Sequence, residues 1–309
     1  MVVGFEFRED QLVKAGTLDN ANWIHEVEPS QDDLAELVGQ GISLDMLSHS
    51  LDLNERPRMI QDNGVTFVVI HFPLKQPDDA AVPYKTVPVS IYLTEGRIFV
   101  VEPVLVGLKT RIQQRYKSAQ GDAQNLQVLL SLFVLTAADY SESLRRINES
   151  IEDVEHRLQS SLRNREVLQL LNYQKSLVLF STAINATEAV LEKLQKAESL
   201  PWSDGSKNLL QDSLVEIRQV MYQVEIAQNI LTQMMDAFAS IVSNNLNTVM
   251  KFLAAVTIII SIPMLIASLY GMNVPLPGEQ QANAYVYILA VSLLLSLIVV
   301  LIFRDRDWL

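Results

Sequence analysis

The sequence predicts an α+β soluble domain, a stalk of long helices and two membrane-spanning helices at the C-terminus. Strand-like runs lie in the first 120 residues, long stretches without Gly or Pro follow, and two uncharged apolar stretches come last. We therefore place an α/β domain at 1–120, the stalk at 121–245 and a membrane hairpin at 246–309.

The composition of the first 120 residues predicts a mixed α/β domain. Three runs are rich in β-branched and aromatic residues: 65–72, 87–93 and 97–101. The turn residues Thr94 to Gly96 join the last two runs, so a hairpin is expected there. Ser30, with Asp33 three residues later, and Ser43 mark two helix starts.

Long helices are predicted for the stalk. No Gly or Pro occurs between Asp122 and Leu200, and apolar residues there recur at heptad-like steps: Leu144, Ile147, Ile151, Val154 and Leu158. Turn residues at 201–205 interrupt this pattern. We expect one further helix from Lys207 to Tyr270, which would be roughly 95 Å long.

Two apolar stretches, at about 250–270 and 284–303, each match the ~20 residues that a helix needs to cross a bilayer. Lys251 and Arg304 flank them, whereas the loop between them holds no Lys or Arg. By the positive-inside rule, the loop faces outward and both termini are cytoplasmic. The N-terminal residues do not resemble a signal peptide, so we expect the soluble part to stay in the cytoplasm. Together with the two spans, this predicts a multi-pass protein of the cell (inner) membrane.

Charge and cysteine content exclude several classes of function. The chain carries 24 Lys and Arg against 36 Asp and Glu, for a net charge of −12. Acids and bases balance within 246–309, so the negative charge belongs to the soluble part. This charge argues against nucleic-acid binding and suits a domain that meets divalent cations. The absence of Cys excludes disulfides, thiolate zinc sites and a Cys nucleophile.

One face of the first span is small and polar rather than uniformly apolar. Its residues recur at three- and four-residue steps: Asn247, Met250, Ala254, Thr257, Ser261, Met264 and Ser268. Such a stripe fits either close helix packing or the wall of a water-filled pore. Two helices cannot enclose a channel, so a pore requires several copies of the chain.

The end of the first span carries a family resemblance. Gly271, Met272 and Asn273 follow Tyr270, between two terminal spans, of which the first contains Pro263. This arrangement resembles the CorA-type magnesium transporter family, whose signature is Gly-Met-Asn at this place. The resemblance implies a funnel-shaped homopentamer in which the stripe lines the pore. It also implies that the tripeptide forms the selectivity filter for passive, potential-driven uptake of Mg²⁺.

The chemistry of these residues agrees with a magnesium filter. Mg²⁺ gives up its water reluctantly and prefers oxygen ligands, so a filter should offer neutral oxygens to the hydrated ion. Asn273 can supply an amide oxygen, and Asn247 could form a second ring at the inner end. Met250 suits an apolar constriction that closes by dewetting. Without its context, Asn273 would be an ordinary turn residue.

The resemblance also implies that Mg²⁺ bound between neighbouring soluble domains keeps the pore closed. Counting back from the tripeptide points to Asp212 as one regulatory ligand, with Asp45 or Asp52 across the interface. Residues 51–58 resemble a family stretch that ends in Arg-Pro-Arg.

This chain departs from the family at three places. His49 stands where well-studied members have an Asp ligand, so it is a structural residue, the site uses Asp45 or Asp52, or regulation differs. The outer loop offers one acid, Glu279. The tail at 304–307 alternates Arg and Asp where the family has a run of lysines.

Two alternatives to a magnesium channel remain. One is a zinc, cobalt or nickel transporter of the same architecture; zinc-transporting relatives tend to vary the position that Met272 retains. The other is a membrane-anchored oligomeric scaffold, which would need no polar stripe. An enzyme is not expected, because the four His residues are scattered and no phosphate-binding loop occurs. The expected partners are other copies of the chain, membrane lipid and divalent cations, and not nucleic acid.

Overall fold

The computed structural model describes residues 2–8, 11–115, 124–160, 164–274 and 283–308. It consists of two compact units, Met1–Gln233 and Met234–Leu309, called here the N-terminal and C-terminal units. The longest helix runs through the boundary between them.

The N-terminal unit is built on a seven-stranded sheet. Its strands are β1 (Val3–Arg8), β2 (Gln11–Lys14), β3 (Trp23–Val27), β4 (Arg58–Asp62), β5 (Val65–Lys75), β6 (Tyr84–Thr94) and β7 (Arg97–Glu102). They lie in the order β2-β1-β3-β7-β6-β5-β4. Neighbours are antiparallel except β3 and β7, which run parallel with Ile24 opposite Phe99. The three strands predicted from composition are present as β5, β6 and β7.

Two short helices cover one face of this sheet. They are α1 (Gln31–Gly39) and α2 (Leu44–His49), and both begin at the predicted N-cap serines. Ser30 Oγ accepts a hydrogen bond from the backbone N–H of Asp33 at 3.2 Å, and the Asp33 carboxylate accepts one from the N–H of Ser30. The caps satisfy N–H groups that have no partner within a helix. Leu37 and Leu47 then pack into a core with Phe67, Tyr92 and other residues of this face.

Long helices cover the opposite face. These are α4 (Gln124–Ser160) and α5 (Asn164–Gln195), which follow the shorter α3 (Leu108–Arg115) and contact β4, β5 and β6. Successive residues of a strand point to opposite faces of the sheet, and those of β5 that point toward the long helices, such as Val68 and Ile70, are fully buried. The five predicted heptad residues of α4 are all buried. Sheet strands covered on both faces explain why β5, β6 and β7 are almost continuously apolar.

The helix α6 (Asp204–Tyr270) starts on this helical layer and continues into the C-terminal unit. Ser213 Oγ lies 3.4 Å from the Leu130 carbonyl oxygen of α4, while its hydrogen is donated within α6 to the Leu209 carbonyl at 2.7 Å. Arg218 Nε donates to the Glu188 carboxylate of α5 at 2.6 Å. The predicted boundaries at 120 and 245 stay predictions; in the structure, α4 and α5 pack on the sheet as part of the N-terminal unit.

The C-terminal unit consists of the last part of α6 and of α7 (Ala284–Asp305). Both helices are long and apolar enough to cross a membrane, and most of their apolar side chains are exposed in the single chain. Exposed apolar helices of this length are what a lipid environment requires. α6 ends at Tyr270 and α7 begins at Ala284; the span bounds of about 250–270 and 284–303 stay predictions.

Candidate functional site

From Ala255 onward, the part of α6 in the C-terminal unit has a covered and an exposed face, whereas residues 239–254 are exposed on all sides. One face is covered: Ala255 is fully buried, and Ile259, Ile262 and Ile266 are half-buried. The other face is the predicted stripe, whose seven residues are all exposed: Asn247, Met250, Ala254, Thr257, Ser261, Met264 and Ser268. With 3.6 residues per turn, the centres of these faces lie about 140° apart around the helix. The face that packs on α7 is therefore directed away from the stripe.

The two hydroxyl groups in the middle of the stripe are oriented by the helix itself. Thr257 Oγ1 donates to the Leu253 carbonyl at 2.8 Å, and Ser261 Oγ donates to the Thr257 carbonyl at 2.7 Å. Each hydroxyl thereby uses its only hydrogen, while its oxygen lone pairs stay free to accept. The stripe consequently presents acceptors to whatever lies beside it.

The predicted filter residues lie directly beyond the end of α6. The N–H of Gly271 donates to the Ala267 carbonyl at 3.0 Å, and that of Met272 donates to the Leu269 carbonyl at 3.3 Å. Gly271, Met272 and Asn273 are all exposed. Glu279, the predicted outer acid, lies outside the described residues.

A polar contact joins α6 to α7 on the covered face. Ser296 Oγ donates to the Ile259 carbonyl at 3.4 Å, and Ser296 is only 9% exposed. Ser292, one turn earlier on α7, is equally buried, but its hydroxyl donates to the Leu289 carbonyl of its own helix at 2.9 Å. Neither serine was predicted, although small residues four positions apart in a span are a signal for helix packing.

The C-terminal end of α7 is closed by a cap. Asp307 has a positive φ of 54°. Its N–H donates to the Arg304 carbonyl at 3.3 Å, and the N–H of Trp308 donates to the Phe303 carbonyl at 3.0 Å. The rings of Phe303 and Trp308 stack with centroids 5.3 Å apart. This pair of bonds with its apolar contact is a Schellman motif, which turns the tail back on the helix.

The predicted regulatory acids are exposed side chains of the N-terminal unit. Asp45 lies in the first turn of α2, and Asp212 lies on α6. Asp52 is in the loop after α2, where its carboxylate accepts from the N–H of Asn54 at 2.9 Å. No group of three or more His, Asp or Glu side chains placed to hold a metal ion occurs among the residues that the structure describes.

His49 is held by neighbouring side chains. Its Nδ1 lies 3.2 Å from the Glu55 carboxylate, which also lies 2.8 Å from Arg58 Nε. The guanidinium of Arg58 stands over the Phe67 ring at 5.8 Å. Of the three interpretations of His49, this geometry favours a structural residue.

His71 lies behind the same loop. Its Nε2 is 2.6 Å from the backbone carbonyl of Glu55, and its Nδ1 is 3.3 Å from Thr86 Oγ1. Because the carbonyl can only accept, Nε2 carries the proton and Nδ1 accepts from the threonine hydroxyl. Burial lowers the pKa of His71, so the fold holds it in the neutral form.

A second apolar stripe lies on the N-terminal half of α6. Val215, Tyr222, Ile226 and Ile230 are 54–58% exposed. Their spacing places them on one face, away from the residues that α6 buries, such as Val220. We call these four residues the outer stripe.

The chain matches the family described as CorA-like Mg²⁺ transporter protein over residues 19–304. The chain belongs to this family. A similar relative is the cobalt/magnesium transport protein CorA of Methanocaldococcus jannaschii, which is 25% identical over 296 residues, or 93% of this chain and 90% of the relative.

Solved structures agree on the fold. The complete structure of the CorA magnesium transporter from M. jannaschii matches with a TM-score of 0.86 at 22% identity, over 100% of this chain and 99% of that one. The cytoplasmic domain of ZntB from Vibrio parahaemolyticus matches with a TM-score of 0.62 at 13% identity, over 78% and 98%.

These findings confirm the family, the α+β fold with a long helix and two C-terminal spans, and the expectation that the chain is an ion transporter rather than an enzyme.

Proposed function

We propose that several copies of this chain form a passive channel for Mg²⁺, with the stripe of α6 along the pore and Gly271 to Asn273 as its selectivity filter. The observation that supports this most is the exposure of the whole stripe on the side of α6 directed away from α7. Packing against α7 therefore does not account for the small and hydroxyl residues. A water-filled pore would account for them.

The chemistry of the stripe suits a hydrated ion. The water molecules that Mg²⁺ retains donate hydrogen bonds outward, so a pore wall needs acceptors. The Thr257 and Ser261 hydroxyls have used their hydrogens within the helix and can accept from such water. Asn273 adds an amide oxygen at the exposed end. Neutral acceptors of this kind can hold the hydrated ion without stripping its shell.

The driving force is the membrane potential. With both termini in the cytoplasm, the filter faces outward and the N-terminal unit faces the cell interior. Moving a divalent cation inward across 100 mV is then favourable by about 4.6 kcal/mol. No coupled chemical reaction is required.

The assembly is a homopentamer in this proposal, as the family resemblance implies. The outer stripe supports an oligomer, because Val215, Tyr222, Ile226 and Ile230 leave apolar surface uncovered on a helix whose opposite side is packed. A neighbouring copy would remove this surface from water.

Regulation by intracellular Mg²⁺ is the second part of the proposal. Asp212, with Asp45 or Asp52 of a neighbouring copy, would supply the carboxylate oxygens that Mg²⁺ prefers. All three are exposed in the single chain, as ligands shared between copies must be. An ion held between copies would stabilise the closed ring and release it when the internal concentration falls.

Cobalt is a second candidate cargo, because the relative from M. jannaschii is named a cobalt/magnesium transport protein. Zinc and nickel remain alternatives, because an α+β domain with two C-terminal spans has no feature specific to one divalent cation. The fold alone does not separate these cations.

The pore is tested by uptake into proteoliposomes at an imposed negative-inside potential, with a Mg²⁺-sensitive dye inside. Wild type should take up Mg²⁺ only when the potential is present, and Asn273→Ala should abolish uptake. Asn283→Ala is the matched control, since Asn283 lies at the other end of the same loop and its side chain makes no cap hydrogen bond. Transport of Co²⁺ or Zn²⁺ without Mg²⁺ would favour the alternative cargo, and no flux of any divalent cation would favour the scaffold.

The sensor is tested with Mg²⁺ loaded inside the same vesicles. Internal Mg²⁺ should slow uptake by wild type, and Asp212→Ala should relieve this inhibition. Asp236→Ala, at another exposed acid of α6, should not. Equal inhibition of Asp212→Ala and wild type would remove Asp212 from the sensor.

A further inference from the structure

The backbone of α6 lacks one hydrogen bond within its apolar part. Pro263 has no N–H and lies inside the helix. The carbonyl of Ile259, four residues earlier, therefore loses its usual i+4 donor within α6, and the proline ring crowds it outward. An unsatisfied carbonyl in the hydrocarbon region is costly, because no water can reach it.

Ser296 of α7 meets this carbonyl. Its hydroxyl lies 3.4 Å from the Ile259 oxygen, on the face of α6 where Ala255 is fully buried. Ser292 has the same chemistry and similar burial one turn away, yet it bonds within α7. The serine that crosses between the helices is thus the one opposite the carbonyl that Pro263 leaves free.

We propose that Ser296 is a positioning residue for the pore helix. It donates a hydrogen bond to the Ile259 carbonyl freed by Pro263 and so fixes the local turn of α6, which orients the stripe residues Thr257 and Ser261. The role in the pore rests on the proposed function; the contact between the helices does not. Thr257 and Ser261 flank Ile259 on the opposite face, so a change in the local turn of α6 moves their acceptors.

The stability test uses the full chain in lipid nanodiscs. Ser296→Ala should raise the hydrogen-exchange rate of the α6 amides around 259–264 by roughly three- to fifteenfold, the range that interhelical hydrogen bonds in membranes produce. Ser292→Ala removes a hydroxyl of equal size and burial and should leave these amides unchanged. Equal effects of the two substitutions would overturn the proposal.

Pro263→Ala gives the second, independent test. Alanine restores an N–H at position 263 that can bond the Ile259 carbonyl, so Ser296→Ala should have no effect on exchange in the Pro263→Ala background. An effect of Ser296→Ala that persists undiminished in this background would show that the serine acts by some other contact, and the proposal would fail. The comparison of Ser296→Ala with Ser292→Ala remains decisive if Pro263→Ala does not assemble.

Uptake separates positioning from a general structural role. Ser296→Ala should lower the maximal rate of Mg²⁺ uptake several-fold and leave the half-saturating concentration unchanged, because Ser296 contacts α6 at Ile259, twelve residues before Gly271. Ser296→Thr, which keeps the hydroxyl, should restore the rate, as should Pro263→Ala combined with Ser296→Ala. An unchanged rate, or a rate that neither variant restores, would overturn the positioning role. If wild type transports no divalent cation, the proposed function fails while the exchange measurements still decide the contact.

Discussion

At the scale of single residues, His71 makes the stability of the N-terminal unit depend on pH. Both ring nitrogens are engaged in the neutral form, and burial lowers the pKa of the imidazole below its ordinary value of 6.5. As pH falls below about 6.5, the unfolded chain binds a proton that the folded chain resists. The contribution of His71 to the free energy of unfolding is therefore fully present at neutral pH and is lost on acidification, with a slope of at most about 1.4 kcal/mol per pH unit.

The measurement is thermal unfolding of the full chain in detergent between pH 7.5 and pH 5. Wild type should lose stability more steeply than His71→Gln, whose amide can still donate to the Glu55 carbonyl but does not titrate in this range. The other three His residues are common to both proteins. Parallel pH profiles would contradict the assignment of a neutral His71.

At Gly271 a side chain would fit in the single chain but not in the proposed pore. Its φ is not positive, and an added Cβ would lie 3.4 Å from the Ala267 carbonyl oxygen, an ordinary contact. The isolated turn therefore tolerates Ala. We expect Gly271→Ala to leave the unfolding temperature and the assembly unchanged and to remove most Mg²⁺ uptake, because in the proposed pentamer five copies of the turn would crowd at the proposed filter. Full uptake by Gly271→Ala would place the filter elsewhere.

At the scale of elements, two aspartates at the end of α7, Asp305 and Asp307, adopt different backbone conformations, so replacement by Gly should affect helix stability in opposite directions. Asp307 occupies the left-handed position of the Schellman motif, where Gly avoids the steric cost of a side chain. Asp307→Gly should strengthen the cap by up to roughly 1 kcal/mol. Asp305→Gly, at the last helical position, should instead weaken it by a comparable amount, since Gly disfavours helix.

Hydrogen exchange of the last turn of α7 measures both variants. Exchange should slow in Asp307→Gly and quicken in Asp305→Gly, although each removes the same charge. A change of the same sign in both would mean that the lost charge, and not the backbone conformation, controls the end of this helix.

Local pattern was sufficient to predict most elements. β5, β6 and β7, both capped helices, α6 and both spans were expected from composition, caps and periodicity, all of which act within a few turns. β1 to β4 were missed. β3 holds His25 and Glu26 within the sheet, where the carboxylate of Glu102 lies 2.8 Å from His25 Nε2. A buried polar pair from distant segments does not produce the alternation by which strands are recognised.

At the scale of the whole molecule, the outer stripe predicts how copies associate. Ile226→Glu places a charge within apolar surface that a neighbouring copy would bury, and burying such a side chain is worth about 1.5–3 kcal/mol. Light scattering of the detergent-purified protein should therefore show dissociation into smaller species. Leu168→Glu, at an equally exposed residue of α5, should leave the oligomer intact. An unchanged mass for Ile226→Glu would exclude this stripe as the interface.

The sequence by itself determined the class of the molecule, the two spans, the long helices and the tripeptide that carries the family resemblance. These features depend on hydrophobic length, periodicity and short motifs, which are written in consecutive residues. The tertiary structure alone decided which face of α6 packs on α7, that Ser296 meets the Ile259 carbonyl and that Glu55 holds His49. Those contacts join residues from separate elements, and their partners depend on how the elements pack rather than on the pattern of any one of them.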